Sequence, residues 1–281
     1  MALKDILVHL DAREEAGADS RLDIAVGLAR RHGAHLVGLH VVDVAIPAGI
    51  VGDPGGAGYA ELYEALRDAA VEAASRVEAR FRERIRRDGV AGEWRCAEGF
   101  TAEAVTLHAR YADLAILGQH DPAGPDTGAA AVTETLFGAG RPVLVVPHAG
   151  RFAEAGRRVL VAWNASREAA RAVNDALPIL RTAEAVTVLA VNPERGIAGH
   201  GEEPAADIAL HLARHGVRAT AEQVTAPDLP DAEALLNALA ERGADLLVMG
   251  GYGHSRLREF VLGGVTRTLL RSMTAPVLLS H

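Results

Sequence analysis

The stretch VTETLFGAGRPVLVVPH, residues 132–148, returns at the end of the chain as VTRTLLRSMTAPVLLSH, residues 265–281. Both copies open on Val-Thr, carry Thr-Leu one turn later, and finish on Pro-Val-Leu and a histidine. Agreement at so many positions argues for duplication, so the chain is read as two copies of one unit. Upstream of each copy stands an apolar run after Ala-Asp, YADLAILGQ at 111–119 and GADLLVMGG at 243–251. The halves also begin alike, with DILVHLD at 5–11 and RVLVAWN at 158–164.

Between these runs lie helix patterns, LDIAVGLARRHG in the first half and SREAARAVNDALPILRTA in the second. Further strand candidates follow, AHLVGLHVVD and AVTVLAVNP. Each half therefore reads as five strands alternating with four helices, the pattern of a parallel sheet covered by helices on both faces. Runs such as LLVM and VLVV suit strands buried on both sides. The expected fold is α/β, two tandem doubly wound domains at 1–148 and 157–281, joined through the polar segment HAGRFAEAGR at 148–157. The Gly- and Pro-rich PAGIVGDPGGAGYAE, 47–61, reads as a mobile loop before a long amphipathic helix. Its counterpart around PAADIALHLARHG is far shorter.

Composition narrows the function classes. A chain of 281 residues suits two domains of about 140. Its net charge of -8, from 37 acidic against 29 basic residues, disfavours sequence-independent binding to nucleic acid. No apolar run reaches the roughly 20 residues of a membrane span, and the start MALKDILVHLD does not resemble an export signal. A cytoplasmic protein with no membrane partner is expected. The single cysteine, Cys96, allows no internal disulfide and is expected as a buried small residue of a strand. Lys4 is the lone lysine, so no Gly-Lys-Ser/Thr phosphate loop exists.

Chemistry concentrates in GGYGHSRLREFVLGGVT, Gly250 to Thr266, between a strand and a helix. Ligands of open parallel sheets bind at the carboxyl ends of the strands, and a helix amino terminus offers free N–H groups to an anion. Glycine lets such groups approach a phosphate without a Cβ in the way. Gly250, Gly253 and Gly263 are spaced G-x2-G-x9-G, with Gly264, Val265 and Thr266 directly after them.

With that spacing, the Asn-Ala-Ser-Arg-Glu at 164–168 and both Pro-Val-Leu endings, the chain resembles the tandem two-domain universal stress proteins. The resemblance covers nearly the whole chain and implies a strand order of 3-2-1-4-5 in each sheet, with the domains paired as a pseudo-dimer through their last strands. It implies a site in the second half for ATP or another adenine nucleotide, with or without Mg2+. Asn164 stands where the family usually has an Asp near the ribose, and Val191 where the backbone meets adenine. Gly250, Gly253, Gly263, Gly264 and Val265 would offer N–H groups to the phosphates, and Thr266 a hydroxyl. Gly264 replaces the hydroxyl residue that the family carries next to its last glycine. In the first half Asp11 and Val41 or Val42 keep their places, but Asp121 replaces the second glycine and Ala130 and Ala131 replace the last pair. That half is expected to be degenerate.

Other motifs fail on inspection. Gly251-Tyr252-Gly253 lacks the third glycine of a dinucleotide fingerprint, where Arg256 stands. His254-Ser255 lacks the flanking glycine of a nucleophile elbow. His211 and His215 lie one turn apart near a helix carboxyl end, where His is favourable without a metal. No metal site and no catalytic residue are expected. The functions left standing are a regulatory stress-response protein binding an adenine nucleotide, an interaction scaffold without nucleotide, and a slow ATP hydrolase. A homodimer and an unidentified protein partner are compatible with all three.

Overall fold

Apolar runs alternating with amphipathic segments give strands and helices in strict succession in the computed structural model, which describes residues 2–13, 15–44, 57–122, 127–193, 203–252 and 264–281. The first half comprises β1 (Asp5–His9), α1 (Glu15–His32), β2 (His35–Val42), α2 (Ala57–Asp88), β3 (Gly92–Glu98), α3 (Thr101–Ala109), β4 (Leu114–Gly118), α4 (Thr127–Gly138) and β5 (Val143–Val146). The second comprises β6 (Arg158–Ala162), α5 (Arg167–Leu180), β7 (Ala185–Val191), α6 (Ala206–Arg214), β8 (Ala219–Val224), α7 (Asp231–Arg242), β9 (Leu246–Gly250), α8 (Gly264–Ser272) and β10 (Val277–Ser280).

The ten strands form one sheet in the order β3-β2-β1-β4-β5-β10-β9-β6-β7-β8. Each half thus has the expected 3-2-1-4-5 order. The two sheets are continuous rather than separate, because β5 and β10 pair antiparallel with Leu278 opposite Leu144. All other pairings are parallel. Both strands are buried at every residue, which explains why the repeated Pro-Val-Leu ending carries no polar residue to mark an edge.

A core lies on each face of the sheet. One packs α1, α2, α5 and α6 through residues such as Ile24, Phe81, Val173 and Leu212. The other packs α3, α4, α7 and α8 through Val105, Leu136, Leu235 and Leu269. The side chains of a strand alternate between these two layers.

Two expectations need correction. Cys96 is exposed, because β3 is an edge strand whose residues are at best half-buried. Partial desolvation by its neighbours and the charges of Glu78 and Glu98 still raise its thiol pKa, which disfavours the reactive thiolate. The expected loop at 47–61 also overreaches, since α2 already begins at Ala57. Alanine and glutamate at 60 and 61 favour helix, while residues 45–56 lie outside the described residues.

Candidate functional site

The strand ends of the second half are built to turn sharply. β6 stops at Ala162, and the Trp163 N–H still donates to the Leu189 carbonyl at 2.9 Å. The Asn164 Oδ1 then accepts the Ser166 N–H at 3.2 Å, with Ala165 between them in the left-handed region at φ 55°. Ser166 caps α5 by accepting the Ala169 N–H at 3.1 Å. Asn164 therefore spends its carbonyl on shaping the turn, and its amide hydrogens meet no acceptor among the described residues.

β7 stops at Val191, and Asn192 fastens its end to the chain leaving β8. The Asn192 Oδ1 accepts the Ala226 N–H at 2.7 Å, while its Nδ2 donates to the Ala226 carbonyl at 3.3 Å and to Asp231 Oδ1 at 2.9 Å. This clasp holds the start of α7 beside the end of β7.

β9 ends at Gly250 against the first turn of α5. A Cβ there would fall 2.5 Å from the Ala169 nitrogen and 2.6 Å from the Glu168 carbonyl carbon, so the close approach requires glycine. Gly264, at the start of α8, is the opposite case: a Cβ would meet nothing within 4 Å among the described residues. Thr266 is buried, and its Oγ1 accepts the Tyr252 N–H at 3.2 Å, tying the chain that leaves β9 to α8. Its oxygen thus has a structural task that the sequence does not announce.

These turns enclose a cavity of about 270 Å3. Of the eight expected residues, Asn164, Val191, Gly250, Gly264, Val265 and Thr266 line it together. Gly253 and Gly263 lie outside the described residues, as do His254, Ser255 and Arg256. Ala162, Trp163, Leu189, Met249, Leu235 and Asp231 complete the wall among the described residues. Sequence reasoning missed them: Trp163 was legible only as the neighbour of Asn164, and Asp231 belongs to none of the motifs. Asp231 is the sole charged side chain among the described lining residues. No group of three His, Cys, Asp or Glu that could hold a metal occurs among the described residues.

The equivalent place in the first half is differently occupied. Asp11 is buried and held by Arg13, whose backbone N–H and Nε donate to Oδ1 at 2.9 and 3.0 Å and whose Nη2 donates to Oδ2 at 2.7 Å. Burial raises the Asp11 pKa, but the hydrogen bonds and charge of Arg13 outweigh it and lower the value to about 2. Beside it His9 is buried, and desolvation, aided by the Arg21 charge, lowers its pKa to about 3. Gln119 replaces Gly251 and is buried, donating across the junction to the Leu270 and Arg271 carbonyls at 2.8 and 3.2 Å. Ala130 and Ala131 lie within α4, three and four residues past its first residue, rather than at its start.

Comparison with known proteins gives a consistent picture. Residues 156–281 match the universal stress protein family. A universal stress protein of Synechocystis sp. is 44% identical over 46 residues, a stretch covering 16% of this chain and 16% of that protein. Among solved structures, a universal stress protein from Archaeoglobus fulgidus has 17% identity and a TM-score of 0.72, with 98% of this chain and 97% of that chain covered. A second, from Pseudomonas aeruginosa, has 17% identity and a TM-score of 0.58, covering 99% and 93%. At such identity the likeness to these two is one of fold.

Proposed function

We propose, from the match of residues 156–281 to the universal stress protein family and a fold repeated in two halves, that the second half binds ATP or another adenine nucleotide in a regulatory role. The observation that carries the reading is convergence. Six residues picked by spacing and resemblance, from the ends of β6, β7 and β9 and the start of α8, line one cavity. Val191 offers backbone to the base, and Asn164 offers amide hydrogens to the ribose. Gly264 and Val265 present N–H groups at a helix amino terminus, which favours a phosphate.

The residues fit such a ligand. The cavity's 270 Å3 lies just below the roughly 300–1,000 Å3 of ligand pockets, suited to a nucleoside whose phosphates meet the start of α8. Units at 1–148 and 157–281, a cytoplasmic location and a homodimer belong to the same proposal. The first half, with Asp11 already held by Arg13, serves as partner domain and not as a second site.

Calorimetry with ATP and Mg2+ tests this on the full chain and on Gly264→Asp. The added side chain meets none of the described residues, and an acidic residue at a helix start supports folding, yet its charge opposes a phosphate. Saturable heat that the variant loses supports nucleotide binding. No heat from the wild-type chain, freed of co-purified ligand, favours the scaffold, and steady phosphate release in the same solution favours the hydrolase.

A further inference from the structure

The cavity spans the ends of β7 and β9, which flank β6, and its polar groups differ in sense on the two sides. The start of α8, at Gly264, Val265 and Thr266, presents donors and the positive end of a helix dipole. The β7 end carries Asp231, held 2.9 Å from the Asn192 amide. A carboxylate here opposes an anion and favours a hydrogen-bond donor, so the two sides suit a ligand with a phosphate at one end and an amino group at the other.

Which oxygen of Asp231 is available is decided by its neighbours. The Asn192 amide cannot turn over, because Ala226 donates to its Oδ1 and accepts from its Nδ2. Asn192 Nδ2 must therefore donate to Asp231 Oδ1. Asp231 Oδ2 accepts no hydrogen bond among the described residues. We infer that Asp231 is a specificity residue: its Oδ2 accepts a hydrogen bond from the exocyclic 6-amino group of a purine whose edge lies at Val191. This inference rests on the nucleotide reading of the cavity and adds a residue and a chemical selection to it. A 6-oxo purine would bring a lone pair against the carboxylate, and a purine bare at position 6 would leave Oδ2 unmet.

The test uses three triphosphates that differ on the six-membered ring: ATP, purine riboside triphosphate with hydrogen at position 6, and inosine triphosphate with oxygen there. Calorimetry is run on the full chain and on Asp231→Asn, with thermal unfolding of both to confirm the fold. Because Asp231 is exposed, the wild-type chain is expected to favour ATP over the bare purine by about ten-fold, less than an enclosed polar site achieves. In Asp231→Asn the fixed Asn192 amide draws the new carbonyl toward itself and leaves the NH2 facing the cavity. The ATP advantage should then vanish and inosine triphosphate should bind better than ATP. Equal binding of all three by the wild type, tighter binding of inosine triphosphate by the wild type, or an unchanged ratio in the variant overturns the role of Asp231 while leaving a nucleotide site. Absence of binding by any of the three overturns the nucleotide reading and this inference with it.

Discussion

Asn164 and Asp11 hold corresponding places at the ends of β6 and β1 and do unlike work. Asn164 shapes a turn through Ser166, while Asp11 is locked to Arg13. The spacing of motifs could place both residues but could not say what either side chain touches, since Arg13 and Ser166 are ordinary near neighbours in the chain. Gly264 is the residue at which this difference can be used. None of the described residues stands in the way of a hydroxymethyl group there, so Gly264→Ser is expected to tighten nucleotide binding by about 0.5–1.5 kcal/mol, the value of one hydrogen bond. Calorimetry reads the gain, and unchanged affinity would show that no phosphate lies there. His9 supplies a pH prediction. Its pKa falls from 6.5 to about 3 on folding, so the unfolded chain takes up a proton that the folded chain refuses. Stability from this residue is fully present above about 6.5 and declines as pH drops toward 3, at up to about 1.4 kcal/mol per unit. Asp11, shifted from 3.8 to about 2, adds a loss in the same direction at lower pH. Urea unfolding of wild type and His9→Gln between pH 7 and 4.5 should show a shallower slope in the variant; parallel slopes would exclude His9.

Helices and strands were the most legible level, and their ends the least. Burial on both faces explains the unbroken apolar runs of β4, β5, β9 and β10. Terminal carboxylates do work that periodicity cannot signal. Asp245 accepts the N–H groups of Gly156, Arg157 and Arg158 at 2.9–3.1 Å, and Asp113 accepts those of Lys4 and Asp5 at 2.7 and 3.1 Å. The repeated Ala-Asp before each fourth strand therefore aligns the start of the first strand beside it. Asp245→Ala leaves several donors short of a partner and should cost about 1–3 kcal/mol in denaturant unfolding. A glycine that looks like a phosphate contact has an equal claim as a packing residue. Gly250→Ala pushes a methyl into the backbone of α5 and should destabilise the fold by about 1–3 kcal/mol, so its loss of ligand binding would say little about phosphate. Gly264 variants escape that ambiguity.

At the scale of the molecule, the duplication is joined through β5 and β10. Val145, Leu144 and Val143 face Val277, Leu278 and Leu279 across the antiparallel seam. Contacts across it are not symmetric: Gln119 reaches from the first half to the end of α8, whereas Tyr252 of the second half stacks on Phe137 of α4 with centroids 5.2 Å apart. Duplication supplied two copies of one surface, and divergence filled the space differently on each side. A chain shortened to residues 149–281 would expose the apolar edge of β10 and should self-associate through it. Light scattering checks this, and a stable monomer would mean that the seam is not the adhesive surface.

Sequence by itself determined the class of fold, the duplication, the 3-2-1-4-5 order through its resemblance, and six residues that share one cavity. These are readable because period, spacing and repetition are properties of a line of residues. Tertiary structure alone decided that the two sheets become one, that Cys96 is exposed at an edge, that Gly250 yields to a helix while Gly264 meets none of the described residues, and that Asp231 lines the cavity. Each of these depends on what approaches a residue from a distant part of the chain, and a local pattern carries no record of that approach.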